Sequence, residues 1–459
     1  MNDAAKDERP KIGLALLALL LLEFAFHGYG GLIFLVPALL WASFRELPTR
    51  RCLLYSTLWG MCFAGTFYLW VLSYGWLAWI GIVLVRGLPW VLFLFPSVLW
   101  EQFADRTPLK DVFSAAAGYF LVTGALLLGP TGNDWETPIG ALCQWPWFLA
   151  SLPWIGLTGS AFLIGLVSVS MILKNRSCFI LGTATAVLWA LLNTWMFSAT
   201  LHEPTLFESP IAVVQTGWSQ EKKWDESSRK EAIERLFELT ETAAEQGAKL
   251  IVWPETAWPY HGMRRRPSDT RAVGRLARRL EVDILASSIE SKEEDWFNSV
   301  SQVLSTGRFH LEYRKTRLAP FAEYLPLPKN WEDNFRTRQP FQQIGRFVPG
   351  DESVPFDHGE RRFGVLICFE SMVPGPTKSL STQVDYFVVV TNDEPLLWPE
   401  PKEAHFRSAI LRAAEFRKPF VQASNTGVSG FVDARGTVLM RSGHRENGPL
   451  TLVYDSLKK

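Results

Sequence analysis

The chain has 459 residues, with 46 Lys+Arg against 46 Asp+Glu, so its formal net charge is zero. This length predicts two folding units, and the balanced charge argues against the basic surface of a nucleic-acid-binding protein. Residues 1–205 contain 11 charges of each sign, and residues 206–459 contain the remaining 35 of each. The first part is therefore about 11% charged and the second about 28%, whereas soluble domains are roughly a quarter charged. This asymmetry excludes a purely cytosolic enzyme.

Seven apolar stretches precede residue 205. They cover residues 12–26, 30–44, 52–73, 76–100, 112–129, 152–173 and 178–200. Several approach the ~20 residues that a helix needs to cross a bilayer, whereas the second is short and suits a tilted or interfacial helix. The first has no small-residue cleavage site after it, so we do not interpret it as a cleaved signal peptide. The pattern predicts a transmembrane domain of about seven helices over residues 1–205.

Basic residues in the connections predict the orientation of this domain. Lys and Arg flank the second, fourth and sixth connections, at Arg45, Arg50, Arg51, Arg106, Lys110, Lys174 and Arg176. The connections around 27–30, 73–76 and 130–151 contain neither residue. Because positively charged loops stay in the cytoplasm, the N-terminus is predicted to lie inside. After an odd number of crossings, residues 206–459 would lie outside.

Arg86 lies within the fourth apolar stretch and has two interpretations. A charge at bilayer depth usually faces a polar cavity or marks a functional site. Alternatively, the helix breaks at Gly87-Leu88-Pro89 and Arg86 extends to the membrane interface. We favour the second interpretation, because Gly and Pro are where such helices break.

After Pro210, short apolar runs alternate with amphipathic segments. The runs predict strands at 211–215, 250–253, 283–288, 297–305, 309–315, 363–367, 386–390, 419–423 and 450–454. Helical spacing predicts helices at 224–246, 268–281 and about 402–417. The strands at 297–305 and 309–315 are expected to form a hairpin. Buried strands with helices between them indicate an α/β domain with a covered sheet over residues 206–459.

Three reactive residue types follow predicted strands. Glu255 comes after Leu-Ile-Val-Trp, and it is either a general base or a surface acid in a turn. Lys315 ends the hairpin, and it is either an oxyanion-stabilising cation or a solvated residue in a basic run. Cys368 follows Phe-Gly-Val-Leu-Ile, where amides of a following helix would stabilise a thiolate; the alternative is a buried structural cysteine. Glu323, in the segment after Lys315, is equally ambiguous alone.

Taken together and in this order, these residues resemble the nitrilase (carbon–nitrogen hydrolase) superfamily. The motifs that carry the resemblance are Val-Gln-Thr-Gly at 214–217, Lys-Trp-Asp at 223–225, Trp-Pro-Glu at 253–255, Asn298-Ser299, the segment 315–326, Ile-Cys-Phe-Glu at 367–370, Thr-Asn-Asp at 391–393, His405-Phe406, Leu-Arg-Ala-Ala-Glu at 411–415 and Ser-Asn-Thr-Gly at 424–427. With seven apolar stretches before it, the chain resembles the membrane-embedded branch of that superfamily, the apolipoprotein N-acyltransferases. The implied fold is a polytopic α-helical membrane domain followed by a nitrilase-like αββα sandwich.

The resemblance also implies a role for each site residue. Glu255 would be the base, Lys315 the transition-state stabiliser and Cys368 the nucleophile of a Glu–Lys–Cys triad. The implied supporting residues are Glu323, Glu370, Trp224 and Phe369. The implied reaction moves an acyl chain from a membrane phospholipid, through a cysteine thioester, to the N-terminal amine of diacylglyceryl-cysteine on an apolipoprotein. No cofactor is implied, and the scattered Cys and His residues predict no metal site.

Two departures from the family pattern concern the substrate entrance. Phe369 stands where a Tyr is common, and Glu-Pro-Leu-Leu-Trp at 394–398 replaces an aromatic-rich stretch. The family's final C-terminal helix is also expected after the strand at 450–454, but the sequence ends at Lys459. We therefore expect acceptor specificity to differ more than acyl chemistry.

Two other functions remain open. One is a membrane-tethered amidase or an N-acyltransferase for another amine, which would resolve the same thioester differently. The other is a non-catalytic scaffold that has kept the fold. The resemblance implies a monomer in the bacterial inner membrane, with residues 206–459 on the periplasmic side.

Overall fold

The structure is a computed structural model that describes residues 10–103, 105–199, 207, 209–326, 345–443 and 448–455. Its internal contacts divide the chain into two units, Met1–Leu201 and His202–Lys459. The first unit is helical and the second contains two β-sheets with helices.

Helices occupy all seven apolar stretches of the first unit. They are α1 (Ile12–Phe26), α2 (Val36–Phe44), α3 (Thr49–Phe67), α4 (Trp76–Gly87), α5 (Val91–Glu101), α6 (Pro108–Leu126), α7 (Leu152–Ile172) and α8 (Arg176–Ala199). Four continuous helical segments are long and apolar enough to cross a membrane: Trp76–Glu101, Pro108–Leu126, Leu152–Ile172 and Arg176–Ala199. The apolar segments Ile12–Phe26 and Gly30–Phe44 are shorter. Seven crossings therefore remain a prediction.

Small residues let these helices approach closely. A Cβ atom added at Gly118 of α6 would lie only 1.8 Å from the carbonyl oxygen of Phe93 in α5. One added at Gly165 of α7 would lie 3.0 Å from the Cα atom of Ala116 in α6. Such contacts are typical of helices that pack by van der Waals contact where water is absent.

The favoured interpretation of Arg86 is wrong. The chain does change conformation after Gly87, into a 3-10 turn at Leu88–Trp90. However, Arg86 is only 2% exposed and does not reach an interface. Its Nε donates to Glu136 Oε1 at 2.8 Å, with a second contact between the same side chains, and its Nη1 donates to the carbonyl of Leu126 at 2.8 Å. The carboxylate of Glu136, from the connection between α6 and α7, neutralises the guanidinium inside the protein, so extension to water is unnecessary.

The second unit contains two six-stranded sheets. Its strands are β1 (Ile211–Gln215), β2 (Leu250–Val252), β3 (Asp283–Lys292), β4 (Asp295–Val303), β5 (Phe309–Arg314), β6 (Pro355–His358), β7 (Arg361–Ile367), β8 (Tyr386–Thr391), β9 (Phe420–Ser424), β10 (Gly430–Val432), β11 (Val438–Arg441) and β12 (Leu450–Tyr454). One sheet has the order β12-β1-β2-β3-β4-β5, and the other β11-β10-β9-β8-β7-β6. β1–β3 and β7–β9 run parallel within their sheets. β4 and β5 form the predicted hairpin, and β3 also pairs antiparallel with β4.

Alternating side chains of the strands face two different layers. In β1, Ile211 and Val213 belong to the core between the sheets, which also includes Val365 and Ile367 of β7. Ala212 and other residues on the opposite face pack against helices of the same unit. Burying an aliphatic side chain in either layer contributes about 1.5–3 kcal/mol relative to exposure.

Helices cover the outer faces of both sheets. The described helices of this unit are α9 (Gln220–Trp224), α10 (Arg229–Glu245), α11 (Pro267–Leu280), α12 (Pro374–Leu380) and α13 (Pro399–Phe416). α10 and α11 pack on the first sheet, and α13 packs against β9 of the second. The predicted fold class, a helical region followed by a nitrilase-like αββα unit, is confirmed.

The structure adds elements that the sequence pattern did not predict. The predicted helix at 224–246 is two helices, α9 and α10, separated at residues 225–228. β6, β10 and β11 are only three or four residues long, which is too short for alternation of side chains to be recognised.

Candidate active site

The three predicted reactive residues follow three strands of the two sheets. Glu255 comes three residues after β2, Lys315 directly follows β5, and Cys368 directly follows β7. Lys315 is 1% exposed and Glu255 is 7% exposed, whereas Cys368 is half-buried. The ends of strands are where open α/β sheets place ligands and reactive groups.

One ammonium group forms ion pairs with two carboxylates. Lys315 Nζ lies 2.8 Å from Glu323 Oε2 and 3.7 Å from Glu255 Oε1. All three side chains are largely buried, so the charges are screened little by water. Together they form a compact cluster with one positive and two negative formal charges.

Amide donors fix the position of both carboxylates. Asn298 Nδ2 donates to Glu255 Oε1 at 2.6 Å and to Glu323 Oε1 at 2.9 Å. The backbone N–H of Asn392 donates to Glu255 Oε2 at 2.8 Å, and that of Ala319 donates to Glu323 Oε2 at 2.7 Å. Each carboxylate oxygen therefore has a donor, and the two side chains have little rotational freedom.

The environment raises the pKa values of both Glu255 and Lys315, for different reasons. Burial, with the nearby Glu323 charge, raises the pKa of Glu255 even though Lys315 opposes this shift. Burial lowers the pKa of Lys315, but the charges of Glu323, Cys368 and Glu255 outweigh it, so its pKa is raised. Lys315 thus stays protonated, and Glu255 becomes a better proton acceptor.

Cys368 occupies an unusual backbone conformation at the end of β7. Its φ is +51°, in the left-handed region that non-glycine residues rarely adopt. The chain then forms a five-residue 3-10 turn, Cys368–Met372, instead of the expected helix. Burial, followed by the charge of Glu255, raises the pKa of the Cys368 thiol well above its ordinary value. The resting side chain is therefore a thiol, and thiolate formation requires a base.

A buried histidine contacts the backbone of Cys368. His405 Nε2 lies 3.2 Å from the Cys368 carbonyl oxygen, and its Nδ1 lies 2.7 Å from Asp393 Oδ1. Ser371 Oγ donates to the same carbonyl at 3.0 Å. His405 comes from α13 and Asp393 from the segment after β8, so two elements converge on the strand end.

Glu370 connects the end of β7 to the segment that carries Lys315. Its Oε1 accepts hydrogen bonds from Tyr313 Oη at 2.6 Å, from the N–H groups of Thr316 and Arg317 at 2.8 and 2.9 Å, and from the Thr316 hydroxyl at 2.8 Å. Its Oε2 accepts from the N–H of Ile367 at 2.8 Å. All five contacts come from donors, which a carboxylate satisfies and an amide does not.

Trp224 and Phe369 lie at the edge of this arrangement. Trp224 stacks on His261, with ring centroids 4.9 Å apart, and the ammonium of Lys223 lies 5.3 Å from its ring. Lys223 Nζ donates to Thr256 Oγ1, beside Glu255, at 2.7 Å. Phe369 is 7% exposed, and no described residue accepts a hydrogen bond from its N–H.

Exposed apolar side chains occur in the segments that carry site residues. Among the described residues of the second unit, the large hydrophobic side chains that are exposed are Trp296, Phe321, Leu397 and Trp398. Each belongs to a segment that also carries a site residue: β4 with Asn298, the 315–326 segment, or the segment after β8. Exposed apolar groups concentrated in this way favour an apolar ligand or surface.

Several site residues received no role from the sequence. Asn298, Asn392, Asp393 and His405 lie within motifs that carried the resemblance, but their partners are distant in sequence. The sequence feature that could have identified most of them is a polar residue within or directly after an apolar strand. A buried polar side chain at such a position needs hydrogen-bond partners. Within the described part of the chain, no group of three or more His, Cys, Asp or Glu side chains is arranged to hold a metal ion.

Both solved structures and curated sequences are similar to this chain. A solved amidase from Nesterenkonia sp. is 18% identical, with a TM-score of 0.41, over 54–56% of this chain and about 92% of that chain. Three curated apolipoprotein N-acyltransferases are similar in sequence. That of Brucella melitensis is 29% identical over 79% of this chain and 71% of its own length. Those of Geobacter metallireducens and Aquifex aeolicus are 29% and 27% identical, over 50% and 59% of this chain and 44% and 60% of their own lengths.

These relatives confirm the resemblance predicted from the sequence. The carbon–nitrogen hydrolase family model matches residues 210–456, which is more than half of the chain and includes both sheets. The chain therefore belongs to the carbon–nitrogen hydrolase family.

Proposed function

We propose that this protein is an acyltransferase of lipoprotein maturation. It moves an acyl chain from a membrane phospholipid to Cys368 as a thioester, and from there to the N-terminal amine of diacylglyceryl-cysteine on an apolipoprotein. The main support is the buried Glu255–Lys315–Glu323 cluster beside a strand-end cysteine. The apolar helical unit and the curated relatives, which are named apolipoprotein N-acyltransferase, favour this substrate class over a soluble amide.

In the first half-reaction, Glu255 accepts the thiol proton and the Cys368 sulfur attacks the ester carbonyl of the phospholipid. The ester C–O bond then breaks, and the leaving lysophospholipid oxygen takes the proton from Glu255. The raised pKa of Glu255 suits both steps, because a general base works best when its pKa approaches the operating pH.

Lys315 and the N–H of Phe369 would stabilise the oxyanion of the tetrahedral intermediate. Lys315 carries a fixed charge, and the Phe369 N–H has no described acceptor that would compete for it. One donor aimed at a developing oxyanion lowers the barrier by roughly 3 kcal/mol.

In the second half-reaction, the amine of diacylglyceryl-cysteine attacks the thioester. Glu255 accepts a proton from the attacking nitrogen, the C–S bond breaks, and the leaving thiolate recovers that proton. The products are an amide on the lipoprotein and a free Cys368 thiol, so no cofactor is consumed.

The remaining predicted residues have supporting roles in this proposal. Glu323 holds the ammonium of Lys315, and Glu370 fixes the backbone beside Lys315 to the end of β7. Phe369 and Trp224 border the substrate entrance. The exposed Phe321, Leu397 and Trp398 would contact acyl chains.

Lipid substrates require a location at a membrane surface. We propose that residues 1–205 hold a monomeric protein in the inner membrane, with the catalytic residues on the periplasmic side. The basic connections of the first unit support this orientation.

Intact-mass measurement after incubation with phospholipid tests the proposal. We expect one added acyl group on the wild-type protein, none on Cys368→Ala, and wild-type acylation on the control Cys62→Ala, which removes an exposed cysteine of the first unit. Addition of a diacylglyceryl peptide should remove the adduct and yield an N-acylated peptide.

Two results would contradict the proposal. Acylation that persists in Cys368→Ala would exclude a thioester on that residue. Release of free fatty acid with no N-acylated peptide would instead identify a hydrolase, as in the amidase alternative.

A further inference from the structure

The backbone carbonyl of Cys368 is held by a buried ion pair. His405 and Asp393 are 0% and 1% exposed, and they contact each other at 2.7 Å. The other ring nitrogen of His405, Nε2, faces the Cys368 carbonyl oxygen at 3.2 Å. The pair therefore contacts the nucleophile residue through its main chain and not through its sulfur.

The contacts of His405 define its protonation state. Both ring nitrogens face acceptors, a carboxylate on one side and a carbonyl on the other, so both must carry a hydrogen. Asp393 also accepts from the hydroxyls of Thr391 at 2.8 Å and Ser424 at 3.0 Å, which favours its ionised form. Burial opposes the charge on His405, but the Asp393 carboxylate raises the pKa of the imidazole overall.

The carbonyl of Cys368 and the N–H of Phe369 belong to one peptide unit. Because a trans peptide is planar, its C=O and N–H bonds point in opposite directions, and holding one end orients the other. Cys368 also has a φ of +51°, a conformation that costs of order 1–3 kcal/mol and persists only where the surroundings impose it. A firm contact at the carbonyl is therefore needed to keep the N–H in place.

We propose that His405, supported by Asp393, is a positioning residue that directs the Phe369 N–H at the oxyanion formed on the substrate carbonyl. This inference rests on the proposed acyl chemistry at Cys368. The neutral Ser371 hydroxyl holds the same carbonyl at 3.0 Å, but a hydrogen bond from an imidazolium is roughly twice as strong. His405 is thus the dominant contact.

Two reactions of the same sulfur distinguish this role from a general structural one. Acylation by p-nitrophenyl butyrate passes through an oxyanion, whereas alkylation by iodoacetamide forms none. In the full-length protein in detergent, we expect His405→Leu to slow acylation by about 10- to 100-fold, less than the roughly 100- to 1,000-fold lost when an oxyanion donor is removed. Alkylation should change by less than about twofold, because displacement at the iodoacetamide carbon requires no oxyanion donor.

Two further variants complete the experiment. His405→Gln retains an N–H near the position of Nε2, so it should recover acylation to within about tenfold of wild type. His310→Leu makes the same change at an exposed position of β5 and should leave both rates unchanged.

Each outcome has a defined meaning. Parallel loss of acylation and alkylation in both His405 variants, or no loss of acylation in His405→Leu, would overturn the positioning role. A wild-type protein that reacts with iodoacetamide but forms no acyl adduct with either p-nitrophenyl butyrate or phospholipid would overturn the acyl chemistry itself, and this inference with it. Acylation of the wild type by the soluble ester alone would refute only the phospholipid donor.

Discussion

At the scale of single residues, nearby charges shift the pKa of Cys368, the proposed nucleophile, in opposite directions. Burial and the Glu255 carboxylate both raise the pKa of Cys368, while Lys315 lowers it. The residue that would remove the thiol proton is therefore also one that disfavours an isolated thiolate. Proton transfer and attack should consequently be coupled, without a standing population of thiolate.

This opposition predicts that Glu255→Gln slows acylation but makes alkylation of the thiol easier. Acylation should fall by about 100- to 10,000-fold, because the amide cannot accept the proton. The pH midpoint of iodoacetamide alkylation, above the ordinary ~8.5 in wild type, should move down, because a negative charge near the thiol is removed. Quenching the reactions at fixed times across a pH series and analysing them by mass spectrometry measures both the acylation rate and the alkylation midpoint.

Glu245→Gln makes the same change on the exposed surface of α10 and is the control. An unchanged acylation rate in Glu255→Gln would show that another group is the base. An upward shift of the alkylation midpoint would contradict the direction of the charge effect.

At the scale of elements, two polar side chains join segments that are far apart in sequence. Glu370 joins the end of β7 to the backbone after β5, and Arg86 joins α4 to the connection that follows α6. In both cases one buried group satisfies several backbone partners, so its loss should disturb more than one element.

Glu370→Gln tests the first of these links. The amide replaces an acceptor oxygen by an NH2 group that faces N–H donors, and each unsatisfied buried group costs about 1–3 kcal/mol. We expect a lower thermal unfolding midpoint and slower acylation, since the segment that carries Lys315 would loosen. Differential scanning fluorimetry and the acylation rate are the measurements; wild-type values of both would show that the link is dispensable.

The Arg86–Glu136 pair should behave as a buried ion pair. Arg86→Met alone leaves an uncompensated carboxylate and should cost about 3–5 kcal/mol, whereas Arg86→Met with Glu136→Leu should cost less. Thermal unfolding of the detergent-solubilised protein gives the order of stability. A double variant less stable than either single variant would contradict this account.

Lys11→Met is the matched control for that series. Lys11 pairs with Glu46, but both side chains are about half exposed, so the change should cost no more than ~1 kcal/mol.

Sequence patterns predicted the elements more fully than the contacts between them. Strand runs and helical spacing located β1–β5 and β7–β9, and local motifs identified Glu255, Lys315 and Cys368 at strand ends. They did not predict that Glu136 would neutralise Arg86, fifty residues earlier in the chain, or that His405 would contact the Cys368 carbonyl. Such pairs depend on how distant segments pack, which neither periodicity nor motif spacing encodes.

At the scale of the whole molecule, charge asymmetry predicts on which side of the membrane the second unit lies. A reporter active only in the periplasm should be active when it is fused after Lys459 and inactive when inserted in the Lys174–Arg176 connection, because basic loops remain in the cytoplasm. Activity assays of both fusions in intact cells measure this. The reverse pattern would exclude the proposed periplasmic reaction.

The pairing of β1 has a consequence for biosynthesis. β1 lies between β2, which follows closely in the chain, and β12, whose residues Leu450–Tyr454 pair antiparallel with it. Until residues 450–454 have emerged from the ribosome and reached β1, one edge of β1 exposes unpaired backbone groups to other chains. Completion of this sheet therefore has to wait for the synthesis of residues 216–449, and during that interval the open edge of β1 leaves the nascent unit vulnerable to mispairing.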